Sequence, residues 1–173
     1  MENKFNNVHN KCIIHESKEH WISRSCAVVG VVTIYINEAE YVLIVKRGTG
    51  GDNVGKYCLP CGYIDWNENG HDAFIREVYE ECDLDLHYYH NYDRHDIINN
   101  EVQPYYVSTN PKNNKENITL YFTSHLRGIG VLPPISNKNC EKDEIDEVLW
   151  MNLDDVDKYD FCFGHDEIIK TFC

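Results

Sequence analysis

The stretch from Gly62 to Leu84, GYIDWNENGHDAFIREVYEECDL, constrains this chain more than any other. From Gly70 to Cys82 there is no proline and no internal glycine, and Ile75, Val78 and Cys82 recur at helical spacing, which predicts a helix. At about 100° per residue, Glu77, Glu80, Glu81 and position 84 fall within an arc of roughly 100°, with Ile75, Val78 and Cys82 nearly opposite. Three carboxylates on one face repel one another. Such a face is either solvated or gathered around a cation. The context weighs for the cation: Gly62, Glu68 and Arg76 precede the acidic pair, and Leu-Pro-Cys-Gly leads in from an extended segment.

The spacing of these residues resembles the signature of the Nudix hydrolase family, G-x5-E-x7-R-E-U-x-E-E-x-G-U with U a bulky aliphatic residue. Gly62, Glu68, Arg76, Glu77, Val78, Glu80, Glu81 and Leu84 match with every spacing kept. Asp83 stands where the family has glycine. That glycine ends the helix in a left-handed conformation, which Asp tolerates better than most residues, so the departure bears on turn geometry more than on chemistry. Outside the box the resemblance is looser, through Leu59-Pro60 and the Trp150-x-x-Leu153 segment, and extends over Ala27 to Cys173.

The resemblance implies an α/β fold, a mixed β-sheet sandwiched between α-helices, and magnesium-dependent hydrolysis of a diphosphate, with manganese as a substitute cation. Glu77, Glu80 and Glu81 become the expected metal ligands, with the backbone carbonyl of Cys61. Arg76 is expected to orient Glu77, and Glu68 to brace the loop against the helix. The chemistry is consistent: magnesium takes hard oxygen ligands, is commonly held by a few carboxylates plus substrate phosphates, and lowers the pKa of a bound water. Some family members carry a further catalytic Glu in a late strand or loop. Here that strand offers His125, so the candidates lie in the acidic run 141–147, Glu144 first among them; a plain solvated loop before a strand is an equal reading of that run.

The chain has 173 residues, 42% hydrophobic and 26% charged, enough for one globular domain with a substantial core. We expect a polar arm, partly ordered, over residues 1–22 and a single domain over 23–173. The formal net charge of −13 opposes bulk nucleic-acid binding, although local cations can hold the phosphates of a small nucleotide. No run of about twenty apolar residues is present and the N-terminus is polar, so the expectation is a cytoplasmic protein without a membrane partner. Self-association into a homodimer is left open. The eight cysteines read as reduced thiols. Cys58-Leu-Pro-Cys61 has redox or zinc spacing, and Cys12, His15, His20 and Cys26 could close a zinc site; neither is favoured.

Along the chain, Cys26–Ile36 reads as a buried central strand and Tyr41–Val45 as its hairpin partner. Lys46 and Arg47 precede the glycine-rich GTGGDNVGK, which reads either as a phosphate cradle or as a strand connection. Segments 87–94 and 101–109 read as strands whose tyrosines could stack on a nucleobase or pack a sheet. Residues 110–117 read as a polar hairpin loop, 118–126 and 148–151 as strands, 153–156 as a helical turn and 166–172 as a terminal helix. In similar folds a C-terminal aromatic lines the base pocket, which makes Phe163 a candidate; Arg24, Tyr63, Lys46 and Arg47 complete the candidate substrate contacts. The resemblance therefore implies cleavage of a nucleoside diphosphate linked to another moiety, ADP-ribose-like in first place. Nucleoside triphosphate hydrolysis and a nucleotide sensor without turnover are the alternatives.

Overall fold

Two neighbouring runs of β-branched and aliphatic residues form the centre of the molecule. Strand β3, Cys26–Ile36, and strand β4, Ala39–Arg47, are antiparallel. Asn37 and Glu38 join them with φ of 51° and 63°, the left-handed pair whose twist suits a two-residue hairpin. The structure, a computed structural model, describes residues 10–90, 103–110, 117–127 and 129–173.

Strand β8, Ile118–Leu126, lies parallel to β3 along nearly its whole length, whereas every other pairing in the sheet is antiparallel. Strand β6, Cys61–Tyr63, pairs with the start of β3, and β9, Ile145–Asn152, pairs with β4. Two short strands, β5 (Tyr57–Cys58) on β4 and β7 (Tyr106–Ser108) on β8, complete the mixed sheet.

Alternation along β4 divides the core in two, as a period of two requires. Leu43 and Val45 face helix α1, Gly70–Cys82, and pack with its Ala73, Phe74, Ile75, Val78 and Cys82. Val42 and Ile44 face the other way, toward Met151 of β9 and toward Ile169 of helix α3, His165–Phe172. A 3-10 turn over Leu153–Lys158 leads from β9 toward that helix. The result is the expected mixed sheet between helical layers. No helix among the described residues is long and apolar enough to cross a membrane.

The described part of the N-terminal segment is a hairpin of its own. Strands β1 (Lys11–His15) and β2 (Lys18–Ile22) form a separate antiparallel hairpin with every residue exposed. Strand alternation places Cys12 and His15 on opposite faces of β1. All eight cysteines are free thiols.

Two strand expectations change. The segment from His87 opens as helix α2, Leu86–His90, because Leu86 is buried and Asp85 Oδ1 accepts from the Tyr88 N–H at 3.2 Å, as a helix cap does. Asn91 to Arg94 of the expected strand lie outside the described residues, as do 1–9 of the arm, Glu101 and Val102, and 111–116 of the polar loop. Among the described residues, the strand expected over 101–109 is confined to Tyr106–Ser108. By contrast β9 is longer than the expected 148–151, since its first residues pair with Lys46 and Arg47 across a register shift.

Helix α1 sits close on β3 because Gly30 leaves room. Phe74 stacks on Phe122 with centroids 5.6 Å apart, and a Cβ on Gly30 would lie 2.6 Å from Phe74 Cε2 and 3.2 Å from Val78 Cγ2. Gly30→Ala should therefore destabilise the fold by about 1–3 kcal/mol through overpacking. Urea denaturation would show this as a lower midpoint at unchanged slope; an unchanged midpoint would mean that the helix can move off the strand without cost.

Candidate active site

The site is built where β6 delivers the chain to the start of α1. Asn69 caps the helix, its side-chain oxygen accepting from His71 N and Asp72 N at 3.0 Å each. The cap fixes the helix phase, and with it the direction of each carboxylate one to three turns further on.

Glu81 points inward. It is 2% exposed; its Oε2 accepts from the Cys61 N–H at 3.1 Å, while Oε1 is buried without a hydrogen-bond partner. Burial pushes its pKa well above the ordinary carboxylate range, and the neighbouring Cys61, Glu77 and, more weakly, Glu144 push the same way. Glu77 is nearly buried and is also raised, first by burial and then by Glu80 and Glu144, against the opposing pull of Arg76. Glu80 is half exposed. The acidic arc read from the sequence thus straddles the edge of the buried face instead of lying wholly in solvent.

Arg76 is the hub of the remaining contacts. Its Nη1 donates to Glu77 Oε1 at 2.7 Å and to Glu80 Oε2 at 2.9 Å. Nε and Nη2 grip Glu68 at 3.0 and 2.6 Å, and Nη2 also reaches the Tyr63 carbonyl at 2.9 Å. Glu68 Oε1 further accepts from Asp65 N at 2.9 Å, so loop and helix are joined through one guanidinium. A Cβ on Gly62 would run into the Glu77 carboxylate, which explains glycine at that position.

Glu144 joins this group from the far end of the sequence. Its Oε2 accepts from the Cys140 thiol at 3.5 Å, and its charge is felt by both Glu77 and Glu81. The glycine-rich segment after β4 proves to be its support. Gly48 N donates to the Glu144 carbonyl and Gly50 N to the Asp143 carbonyl, both at 2.7 Å. Those two amides are therefore engaged with the acidic loop, and a side chain on Gly48 would strike the Asp143 carbonyl.

The other expected substrate contacts scatter. Arg47 donates to the Asp52 carbonyl at 2.8 Å and to Asp52 Oδ1 at 3.2 Å, and its guanidinium lies 5.5 Å from the centre of the Phe163 ring. Lys46 pairs with Asp146 at 3.0 Å. Arg24 bonds the carbonyls of Thr109 and Asn117, both at 2.6 Å, tying the start of β3 to the loop that enters β8. Tyr63 is half exposed, its hydroxyl 3.4 Å from Asn117 Nδ2. Phe163 is partly exposed, with φ of 62°. Cys140, the Cys61 N–H and the Asn69 cap were missed in the sequence. Asn immediately before a helical run could have revealed the cap, whereas nothing in the spacing marks Cys140 or the role of the Cys61 N–H.

Among the described residues no three His, Cys, Asp or Glu side chains converge closely enough to enclose an ion, because Glu77 and Glu80 turn toward Arg76. Yet the donors are hard carboxylate oxygens, they outnumber the one guanidinium among them, and Glu81 Oε1 is desolvated with nothing to bind. A partnerless buried carboxylate oxygen is costly, and an oxygen-seeking cation is the group that would relieve it. Donors of this kind suit a hard divalent cation.

The family model described as NUDIX domain matches residues 25–172. The chain belongs to the Nudix family. Among solved structures similar to this Nudix chain is the NUDIX domain of Shewanella oneidensis NrtR complexed with ADP ribose, at 18% identity and a TM-score of 0.61, covering 86% of each chain. A bifunctional NMN adenylyltransferase/ADP ribose pyrophosphatase from Francisella tularensis, complexed with AMP and a Mn ion, is 20% identical with a TM-score of 0.60, covering 86% of this chain and 41% of that one. A C. elegans Ap4A hydrolase in a binary complex is 14% identical with a TM-score of 0.57, covering 86% and 94%. Likenesses at such identities show the fold. No curated protein matched the sequence.

Arg76 holds Glu68 below its ordinary carboxylate value of 4.5. A depressed folded-state pKa adds stability that is complete above about pH 4.5 and is lost as the pH falls through the folded value. Glu68→Gln should lower stability at pH 7 by about 1–3 kcal/mol, the worth of a charge-assisted bond at a mostly buried site. Melting curves of parent and variant should converge as the pH drops below that range; a gap independent of pH would refute the ionic clamp.

Proposed function

We propose that this Nudix chain is a magnesium-dependent hydrolase that cleaves the diphosphate of a nucleoside diphosphate linked to another moiety, with ADP-ribose-like compounds first among its substrates. The observation that carries the reading is Glu81: a carboxylate fully buried, with one oxygen on the Cys61 N–H and the other without a partner, in the company of Glu77 and Glu144. The family and the ADP-ribose and nucleotide ligands named for its structural neighbours support the substrate class.

Glu77, Glu80, Glu81 and the Cys61 carbonyl would hold the cation, which when bound supplies charge neutralisation at the phosphates and acidifies a water. The chain's own groups do the rest. Arg76, set by Glu68, keeps Glu77 and Glu80 at the mouth of the buried acid, where they would be at hand for a cation. Glu144 stands ready as the base: it takes the proton of the attacking water as that oxygen bonds to phosphorus. The bridging P–O bond breaks in the same displacement, and its electron pair leaves with the departing phosphate. Arg47 on the Phe163 ring forms a cationic and aromatic flank suited to the substrate's far end, Lys46 next to it in β4 is a further candidate cation, and Tyr63 offers a second exposed ring.

Phosphate-coupled turnover with magnesium tests the reading against ADP-ribose, sugar nucleotides, dinucleoside polyphosphates, capped RNA and nucleoside triphosphates. Metal-dependent cleavage of ADP-ribose above the rest is expected. Glu80→Gln and Glu81→Gln should each lower that turnover at least about a hundredfold in a folded protein. Activity within a few-fold of the parent would sink the carboxylate site. A panel in which nothing turned over, with ADP-ribose raising the melting temperature, would make the chain a nucleotide-binding module instead.

A further inference from the structure

Asp83 stands at the position where the box departs from the family's glycine, and the structure gives its side chain something to hold. Helix α1 ends on it with φ 55° and ψ 25°, and its N–H donates to the Tyr79 carbonyl at 2.9 Å. Glycine would meet those backbone demands alone. It would lack the carboxylate, whose Oδ1 accepts from Asn139 Nδ2 at 2.8 Å while Oδ2 accepts from Ser136 Oγ at 3.1 Å and pairs with Lys138 Nζ at 2.5 Å. The adjoining Cys82 carbonyl accepts from Ser136 N at 3.0 Å. Segment 136–139 is thereby fastened to the end of the helix that bears Glu77, Glu80 and Glu81.

From this anchor the contacts lead on to Glu144. Cys140 N donates to the Asn137 carbonyl at 3.3 Å, and Asn137 Nδ2 donates to the Ile145 carbonyl at 2.8 Å, so the loop is closed on itself. The Cys140 thiol then reaches Glu144 Oε2. Gly48 and Gly50 fix the far end of the loop, and Asp83 fixes the near end.

We infer that Asp83 is a positioning residue for Glu144: by pinning segment 136–139 to the end of α1 it holds the Glu144 carboxylate beside the buried acids of the helix. The inference rests on the role given to Glu144 above. It assigns a function to the residue by which this box differs from its family. Glycine at 83 would leave the helix end sound and the near end of the loop held mainly by the Ser136 N–H on the Cys82 carbonyl, without the three side-chain ties to the carboxylate.

The test compares Asp83→Gly, Asp83→Asn, Glu144→Gln and the double variant Asp83→Gly/Glu144→Gln, with ADP-ribose and magnesium as the probe. Asp83→Gly should lower kcat about tenfold or more with KM changed by no more than about threefold, as misplacement of a reacting group does. Asp83→Asn keeps the left-handed tolerance and the bonds to Ser136 and Asn139, and should restore most of the rate. The double variant should be no slower than Glu144→Gln, because Asp83 acts only through Glu144. Independently of turnover, amide hydrogen exchange in 136–146 should quicken in Asp83→Gly and recover in Asp83→Asn, while exchange in β3 stays at the parent rate.

Additive losses in the double variant, or parent exchange rates in Asp83→Gly, would overturn the inference and leave the role of Glu144 standing. Parent turnover in Glu144→Gln would overturn the role of Glu144 and the inference with it. Should ADP-ribose not be cleaved at all, hydrogen exchange decides alone whether Asp83 holds the loop.

Discussion

A carboxylate taken wholly out of water needs company, and much of this molecule serves to give Glu81 its surroundings. The transfer is unfavourable unless the group is neutralised, hydrogen-bonded or paired. Here one oxygen is met by the Cys61 N–H and the other by nothing. The pairing of β6 with the start of β3 brings Cys61 to the helix, and Asn69 sets the helix phase that aims Glu81 at it. A fold that keeps a half-satisfied acid in its core gives up stability at that point, which is the usual bargain at a binding centre.

Arg76 solves a second problem, the mutual repulsion of the acids around it. One guanidinium reaches Glu68, Glu77, Glu80 and the Tyr63 carbonyl in a planar fork that lysine could not reproduce. The arrangement is graded by exposure. Glu68 is held ionised and grips the loop, Glu77 is balanced between burial and its cation, and Glu80 faces solvent. A ligand cation entering from the solvent side would meet Glu80 first and Glu81 last.

Much of this was legible in the sequence for a simple reason: spacing within one helix is geometry. The bounds of α1, β3 and β8 follow from periodicity, and the box residues lie close to one another because they lie on one helix and the loop before it. Segment 87–90 was misread because its tyrosines carry strand propensity, while a buried Leu86 and a cap from Asp85 decide for helix. The glycine-rich loop was half read. Its glycines do permit close backbone approach, but to the carbonyls of Asp143 and Glu144, partners that only tertiary pairing of β4 with β9 could reveal. Glu144 was reachable as a candidate because the run 141–147 concentrates five acids in seven positions; its support by Cys140 was not, since a thiol carries no spacing rule.

The cysteines acquire a common meaning from where they stand. Cys58 and Cys82 are fully buried, and Cys61 and Cys140 lie near the acids. Mutual hydrogen bonding raises the Cys58 thiol, burial raises Cys82, and burial together with Glu144 pushes Cys140 up to about 12. Cys58, Cys82 and Cys140 so raised stay protonated near neutrality and behave as small apolar groups with a weak donor. Around a carboxylate they exclude water and return little hydrogen bonding, which deepens the desolvation that raises Glu81 and Glu77. Serine at the same positions would solvate those acids and weaken their demand for a cation. A thiol lining thus suits this centre better than a hydroxyl lining of equal size, and does so without any redox or zinc role for the CxxC spacing.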